Sequence, residues 1–245
     1  VAGLSEFSMT NYRIVQATDS QDLARQASET IALQIAMALD QRDRCQIALS
    51  GGSTPSKAYA LLGQEKLPWD RVDVLLGDER WVSADDDSSN ARMLRSTLLA
   101  AGPASVAAFH PVPTVELSNA EASAQAMAEL VTRLCPDQPP IFDVMLLGLG
   151  DDGHTASLFP GTEAPGVTDQ WATVGRGKGL DRITLTAPVL SAARQVIFLV
   201  SGANKQEALK RLLDPTESSE RTPARLVQPA SDVLIIADQD ATASL

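Results

Sequence analysis

The 245-residue chain holds only two cysteines, Cys45 and Cys135, and only two histidines, His110 and His154. The cysteines stand far apart in unrelated contexts, which argues against a disulfide-stapled scaffold, and both read as buried thiols. Without a Cys/His cluster a dedicated transition-metal site has no ligand set, so metal-free and cofactor-free chemistry is expected. Basic residues are scarce as well: 20 Lys and Arg face 31 Asp and Glu, a formal net charge of −11. That balance disfavours a polyanion binder, so nucleic acid is not an expected partner. A phosphorylated small molecule stays open, because it needs only two or three placed cations and oriented backbone N–H groups. No apolar run approaches the roughly 18 residues that cross a bilayer, and the N-terminus lacks a signal-peptide pattern. A cytoplasmic protein with no membrane partner is expected. Repeats and Pro-, Gly- or Ser-rich linkers are also missing. Residues 1–8, ahead of Met9, read as a leader or remnant, and 9–245 as a single α/β domain that is expected to act as a monomer.

What is present is a regular alternation. Hydrophobic residues make up 44% of the chain, enough for a buried core. Short apolar runs at Tyr12–Val15, Gln46–Leu49, Val72–Leu76, Phe142–Leu147, Gln195–Val200 and Val233–Ile236 read as buried strands. Helical patterns at Asp19–Leu39, Pro55–Leu62, Ser89–Leu99, Asn119–Leu134 and Ala203–Leu213 separate most of them. Continuous rather than alternating apolar runs are the mark of strands covered on both faces, so a doubly wound, mostly parallel α/β sheet is predicted. Arg182–Thr186 alternates, and reads as a half-exposed excursion from that sheet.

Ligands of open α/β sheets bind beyond the carboxyl ends of the strands, which directs attention to four loops. In "SGGSTP", Gly51 and Gly52 lead into a helix whose free N–H groups, beside the Ser53 and Thr54 hydroxyls, would cradle a phosphate; the bland alternative is a turn capped by Ser53 or Thr54. In "GDERW", Arg80 would hold a phosphate through its planar fork and Asp78 would orient a base or a hydroxyl, with a salt-bridged surface turn as the alternative. Three charges in a row are not expected to be buried there. The acidic turn that follows would end in Ser88 or Ser89 as the next helix cap. In "SGANK", Lys205 would reach a phosphate as a point charge.

The fourth loop, "GLGDDGHTAS", imitates the G-x-G-x-x-G of a dinucleotide turn at Gly148, Gly150 and Gly153. Asp151 and Asp152 would repel a pyrophosphate, and Pro160 and Gly161 leave no room for the required helix, so that reading fails. What remains is His154 on a glycine turn, two residues after Asp152, an arrangement suited to a general base. His110 lacks such company and reads as structural. No G-x-S-x-G elbow occurs; Ser53 and Ser157 read as phosphate-loop and cap residues.

The motifs "ALSGGSTP", "GDERWV" with "SN" and "RML", "LLGLGDDGHTASLFPG", "RITLT" and "LVSGANK", in this order across Val15–Ala237, resemble the 6-phosphogluconolactonases of the pentose phosphate pathway. The resemblance implies a Rossmann-like fold shared with glucosamine-6-phosphate deaminases and ribose-5-phosphate isomerases. It also implies hydrolysis of 6-phospho-D-glucono-1,5-lactone to 6-phosphogluconate. By motif, His154 would be the base, Asp78 a supporting carboxylate and Arg80 a phosphate ligand, with Gly51, Gly52, Ser53, Thr54, Lys205 and Arg182 completing the phosphate site. Asp78 and Asp152 both stand as candidates to orient the imidazole, and backbone N–H groups of Gly150–Gly153 as oxyanion donors. The chain departs from the family at "GKGLD" before "RITLT", where a Lys-Pro-Pro stretch is common, and at Ser83, where proline is usual. Where related deaminases carry a glutamate, this chain has Phe159. Two alternatives stand beside hydrolysis: a sugar-phosphate isomerase or deaminase, and a non-catalytic sugar-phosphate sensor.

Overall fold

Asp19 accepts hydrogen bonds from the Gln21 and Asp22 N–H groups and so starts the first helix after a short strand. From there strands and helices alternate along the chain. The computed structural model describes residues 11–245, so the leader expected at 1–8 lies outside the described residues. The elements are β1 (Tyr12–Ala17), α1 (Ser20–Gln41), β2 (Cys45–Leu49), α2 (Ser53–Leu62), β3 (Val72–Leu76), β4 (Asp78–Arg80), α3 (Asn90–Ser96), β5 (Ala108–Phe109) and α4 (Ala120–Leu134). They continue with β6 (Val144–Gly148), β7 (Ala172–Gly177), β8 (Leu180–Leu185), α5 (Ala187–Ser191), β9 (Gln195–Val200), α6 (Gln206–Leu213), β10 (Val233–Asp238) and α7 (Gln239–Thr242).

Seven strands form one parallel sheet in the order β1-β10-β9-β6-β2-β3-β5. The chain runs outward from β2 through β3 to β5, then returns to β6 on the other side of β2 and runs outward again through β9 to β10. Connections therefore reverse direction between β2 and β6, the topological switch point where α/β sheets open a crevice. The two strands pair only at Ile47↔Val144 and Ala48↔Met145, whereas β6 pairs with β9 over five positions, so their carboxyl ends splay apart. Helix α1 lies across β1, β2, β6, β9 and β10 and packs on α2. The core carries Tyr59, Trp69, Phe142 and Phe198 among its largest buried side chains. Cys45 and Cys135 are buried, free thiols, as expected from their contexts.

A second, antiparallel sheet, β4-β8-β7, stands beside the main one. It corrects two expectations. Arg182–Thr186 is an excursion but not half-exposed, because Ile183, Thr184 and Leu185 are buried on both faces between β4 and β7. "DER" is not a surface turn but β4, in which Glu79 is 1% and Asp78 6% exposed. The burial of Glu79 is possible because its carboxylate accepts from the N–H groups of Arg80, Asn90 and Ala91 and from Ser89 Oγ. At the other extreme, β1 is an edge strand that among the described residues pairs only with β10, and Ile14 is 38% exposed, so the expectation of a buried strand there fails. The helix expected from Ala203 is a 3-10 turn over Ala203–Lys205 that passes into α6.

Candidate active site

Four strand ends meet at the switch point and enclose a pocket of about 320 Å³ lined by the loops after β2, β6 and β9, by β4, which follows β3, and by the β7–β8 hairpin. Gly51, Gly52, Ser53, Thr54, Asp78, Arg80, His154, Arg182 and Lys205 all line it. Asp152 does not, because it stands behind the imidazole. Roomier grooves of about 660 and 730 Å³ lie elsewhere, against α4 and β7 and beside residues 161–166. The pocket of about 320 Å³ is the one that gathers the strand-end loops among these three.

The His154 turn is built by short-range bonds. Gly150 N–H donates to the His154 carbonyl at 2.8 Å, Gly153 N–H to the Gly150 carbonyl at 3.0 Å, and Thr155 Oγ1 to the Gly148 carbonyl at 2.8 Å. The ring lies so close to the chain that a Cβ on Gly150 would sit 1.9 Å from His154 Nδ1. Ala156 takes a left-handed φ of 48° at the pocket wall, an uncommon conformation for a residue with a side chain. Asp152 Oδ1 accepts from the His154 backbone N–H at 3.0 Å and lies 2.5 Å from its Nδ1. Of the two candidate orienting carboxylates, Asp152 is the one on the ring, and Nε2 is the nitrogen left for chemistry. Burial holds the His154 pKa below the ordinary imidazole value, with Asp152 pulling the other way and Lys178 adding to the depression. Burial alone would raise the Asp152 carboxyl, yet hydrogen bonds from His154 keep it below the usual range.

Of the oxyanion donors expected along this turn, the N–H groups of Gly150, Asp152 and Gly153 bond within the turn, as does that of His154. Helix α2 presents donors of a different kind, suited to an anion at the Gly51-Gly52 loop. No side chain caps it, so neither Ser53 nor Thr54 is an N-cap, and Gly52 holds that position. Its first N–H groups and the positive end of its dipole sit at the pocket.

Asp78 accepts from Ser157 Oγ at 2.6 Å and lies 4.0 Å from the Arg182 guanidinium. Ser157 is thus the support of Asp78 rather than a cap. Arg80 and Arg182 are cross-strand partners in the β4–β8 ladder, and two like charges directly opposite repel unless something lies between. The buried Nε of each has no partner among the described residues, nor has Ser50 Oγ on the same wall. Burial lowers the Arg182 pKa from its ordinary value, with Asp78 opposing.

The sequence leaves the role of Lys178 in the GKGLD stretch open and gives no sign of Asn90 or Asp238 as site residues. Lys178 lines the pocket because Lys178 and Gly179, with φ of 55° and 79°, form the two-residue turn of the β7–β8 hairpin. A lysine-glycine pair between two strands is a usable signal for that. Asn90 donates to the Asp78 carbonyl at 2.8 Å, and its Oδ1 would be 1.8 Å from a Cβ on Gly51, so one buried amide fits β4 to the phosphate loop. Asp238 grips the Lys205 loop by accepting from Ser201 Oγ and Gly202 N–H. Neither has a local signal. His110 instead bonds Asp73 at 2.9 Å, away from the pocket.

The pocket wall carries Arg80, Lys178, Arg182 and Lys205 against the single carboxylate of Asp78. A chain of net charge −11 has gathered cations where an anion would bind. The model of the glucosamine-6-phosphate isomerases/6-phosphogluconolactonase family matches residues 18–236. The chain is 41% identical over 229 residues to a 6-phosphogluconolactonase of Synechocystis, covering 93% of this chain and 95% of that protein. It is 42% identical over 229 residues to one from Nostoc, with the same coverage of each. A solved 6-phosphogluconolactonase of Trypanosoma cruzi superposes with a TM-score of 0.86 at 30% identity, over 98% of this chain and 99% of that one. With the switch-point pocket, the histidine turn and these likenesses spanning nearly its whole length, the chain belongs to the glucosamine-6-phosphate isomerase/6-phosphogluconolactonase family.

Proposed function

We propose that the protein hydrolyses 6-phospho-D-glucono-1,5-lactone to 6-phosphogluconate, the second step of the oxidative pentose phosphate pathway. The observation that carries this reading is the convergence, in one pocket, of the Asp152-supported His154 with four cations and an uncapped helix N-terminus. The 6-phosphate is held by the α2 N–H groups, Arg80, Arg182 and Lys205, which fixes the lactone ring over His154. His154 Nε2 takes a proton from water as its oxygen attacks C1. The tetrahedral intermediate then expels the ring oxygen, the C1–O bond breaks, and the imidazolium returns the proton to that oxygen. The products are the carboxyl group at C1 and a free hydroxyl.

Asp78 is kept at the pocket by Ser157 and faces Arg182, which suits it to orient the sugar rather than the imidazole. Sugar ring opening and amine release call for a further proton-transfer group beside the histidine, and Phe159 has none to give. A monomer is the working unit of this reading, and two free buried thiols suit a reducing compartment such as the cytoplasm.

The test is the rate of lactone hydrolysis above the spontaneous background with EDTA present, for wild type and His154→Ala. Wild type accelerates the reaction, the alanine variant loses on the order of 10²- to 10⁴-fold, and glucosamine-6-phosphate gives no ammonia. A wild-type rate equal to the background, with 6-phosphogluconate still bound, would make the protein a sugar-phosphate sensor and sink the catalytic reading.

A further inference from the structure

Phe159 stands outside the pocket wall and is 4% exposed, yet two ionisable groups of the pocket rest on its ring. The His154 imidazole meets it with ring centroids 4.5 Å apart and planes inclined by 37°. The Arg182 guanidinium carbon lies 5.4 Å from the same centroid, within cation–π range. The ring cannot drift from this station, because the β7 backbone lies against it: a Cβ on Gly177 would sit 2.5 Å from Phe159 Cδ2. One aromatic side chain, seated on a hairpin strand, therefore touches a group from the loop after β6 and a group from β8.

We propose that Phe159 is a positioning residue that sets the base and the anion-binding arginine in register with each other, shielding the imidazole from water with its hydrocarbon surface and carrying the guanidinium as a cation–π platform. The inference rests on the lactonase reading for the identity of the substrate, but its geometry belongs to the protein alone. His154 is faced by Asp152 from its own turn, by Lys178 from the β7–β8 hairpin and by Asp78 from β4, with Arg182 beyond the ring. Asp152 and Asp78 favour the imidazolium, while burial and Lys178 disfavour it. Phe159 contributes to the burial, so its removal lets water in and tips the balance toward the charged form.

The experiment compares wild type, Phe159→Leu and Phe159→Ala in the full chain. Proton NMR follows the two histidines through pH, with His154→Ala assigning the resonances and His110 as internal reference. Calorimetry measures 6-phosphogluconate and inorganic phosphate binding, and steady-state kinetics give kcat and KM. Leucine keeps most of the apolar cover but has no π face. It should leave the His154 midpoint within about 0.3 of a unit, raise KM and weaken phosphate binding about fivefold, and change kcat less than about twofold. Alanine removes both functions, so the His154 midpoint rises by about half a unit or more.

Wild-type phosphate affinity in the leucine variant overturns the arginine half of the proposal, and an unmoved His154 midpoint in a folded alanine variant overturns the other. If alanine does not fold, the leucine variant decides the arginine half through the split between KM and kcat, and Phe159→Val, smaller yet apolar, takes the place of alanine in the His154 titration, where an unmoved midpoint overturns the shielding half. A wild-type enzyme without lactonase activity defeats the functional reading, yet the midpoints and phosphate affinities would still test this one.

Discussion

At the residue scale the site turns on the partner of a single ring nitrogen. Asp152 holds Nδ1 of His154, and its charge is what opposes the burial that lowers the imidazole pKa. Because the folded pKa lies below the ordinary imidazole value near 6.5, the neutral base persists into mildly acidic solution. The acid limb of kcat/KM for wild type is expected below that value. Asp152→Asn keeps an acceptor of the same shape but removes the charge, so the limb should move to still lower pH while kcat falls about tenfold or more. A limb that moves upward in the pH–rate profile would show that Asp152 is not the group sustaining the basicity of His154. The aspartate two residues before the histidine was visible in the sequence, as was Asp78. What separated their roles was the turn geometry, which places Asp152 against the ring and hands Asp78 to Ser157 and Arg182.

At the scale of the element, β4 shows how a charged tripeptide becomes structural. Glu79 is buried with both carboxylate oxygens filled: Oε1 accepts from Arg80 and Asn90 N–H, and Oε2 from Ser89 Oγ and Ala91 N–H. It thereby seats the start of α3, whose Asn90 joins the Asp78 carbonyl and fits against Gly51. Burial pushes the Glu79 carboxyl above its ordinary value even though the backbone N–H groups pull it down. Glu79→Gln turns an NH₂ group toward at least one pair of donors, at a cost of about 1–3 kcal/mol. A fall in Tm of roughly 3–10 °C in calorimetry is expected, with KM for the lactone rising as Asn90 and the Gly51 loop shift. An unchanged Tm would mean that α3 is held by something else. Periodicity could not reveal this element, because three residues are too short for a pattern and the buried charges are satisfied mainly by distant partners, ten to twelve positions away for Glu79 and 79 for Asp78.

Across the whole molecule, stability and chemistry occupy opposite ends of the parallel sheet. The pocket sits at the carboxyl ends of the strands, while near the amino end of β3 Asp73 accepts from Arg44 at 2.8 Å, His110 at 2.9 Å and Gln46 at 3.1 Å. Burial by itself would raise the Asp73 carboxyl, but these partners outweigh it and hold it below the ordinary range. A depressed folded pKa means that the stabilisation is present above the unfolded value near 4 and is lost as pH falls through the folded value. Asp73→Asn should therefore lower stability at neutral pH by about 2 kcal/mol, roughly 4–8 °C in Tm, and blunt the acid limb of unfolding. Lactone kcat/KM should stay at the wild-type level. Loss of activity in a variant that remains folded would show that the two ends are coupled.

The strand and helix runs, the glycine turn around His154, the phosphate loop after Leu49 and the cations after Leu76 and Val200 were legible from the chain, because periodicity and strand-end chemistry are written in neighbouring residues. Only the tertiary structure brought Arg182 opposite Arg80, turned Lys178 into the pocket, seated Asn90 on Gly51 and set Phe159 between base and arginine. Those contacts join residues far apart in sequence, and no local rule decides which distant loops a parallel sheet carries to the same switch point.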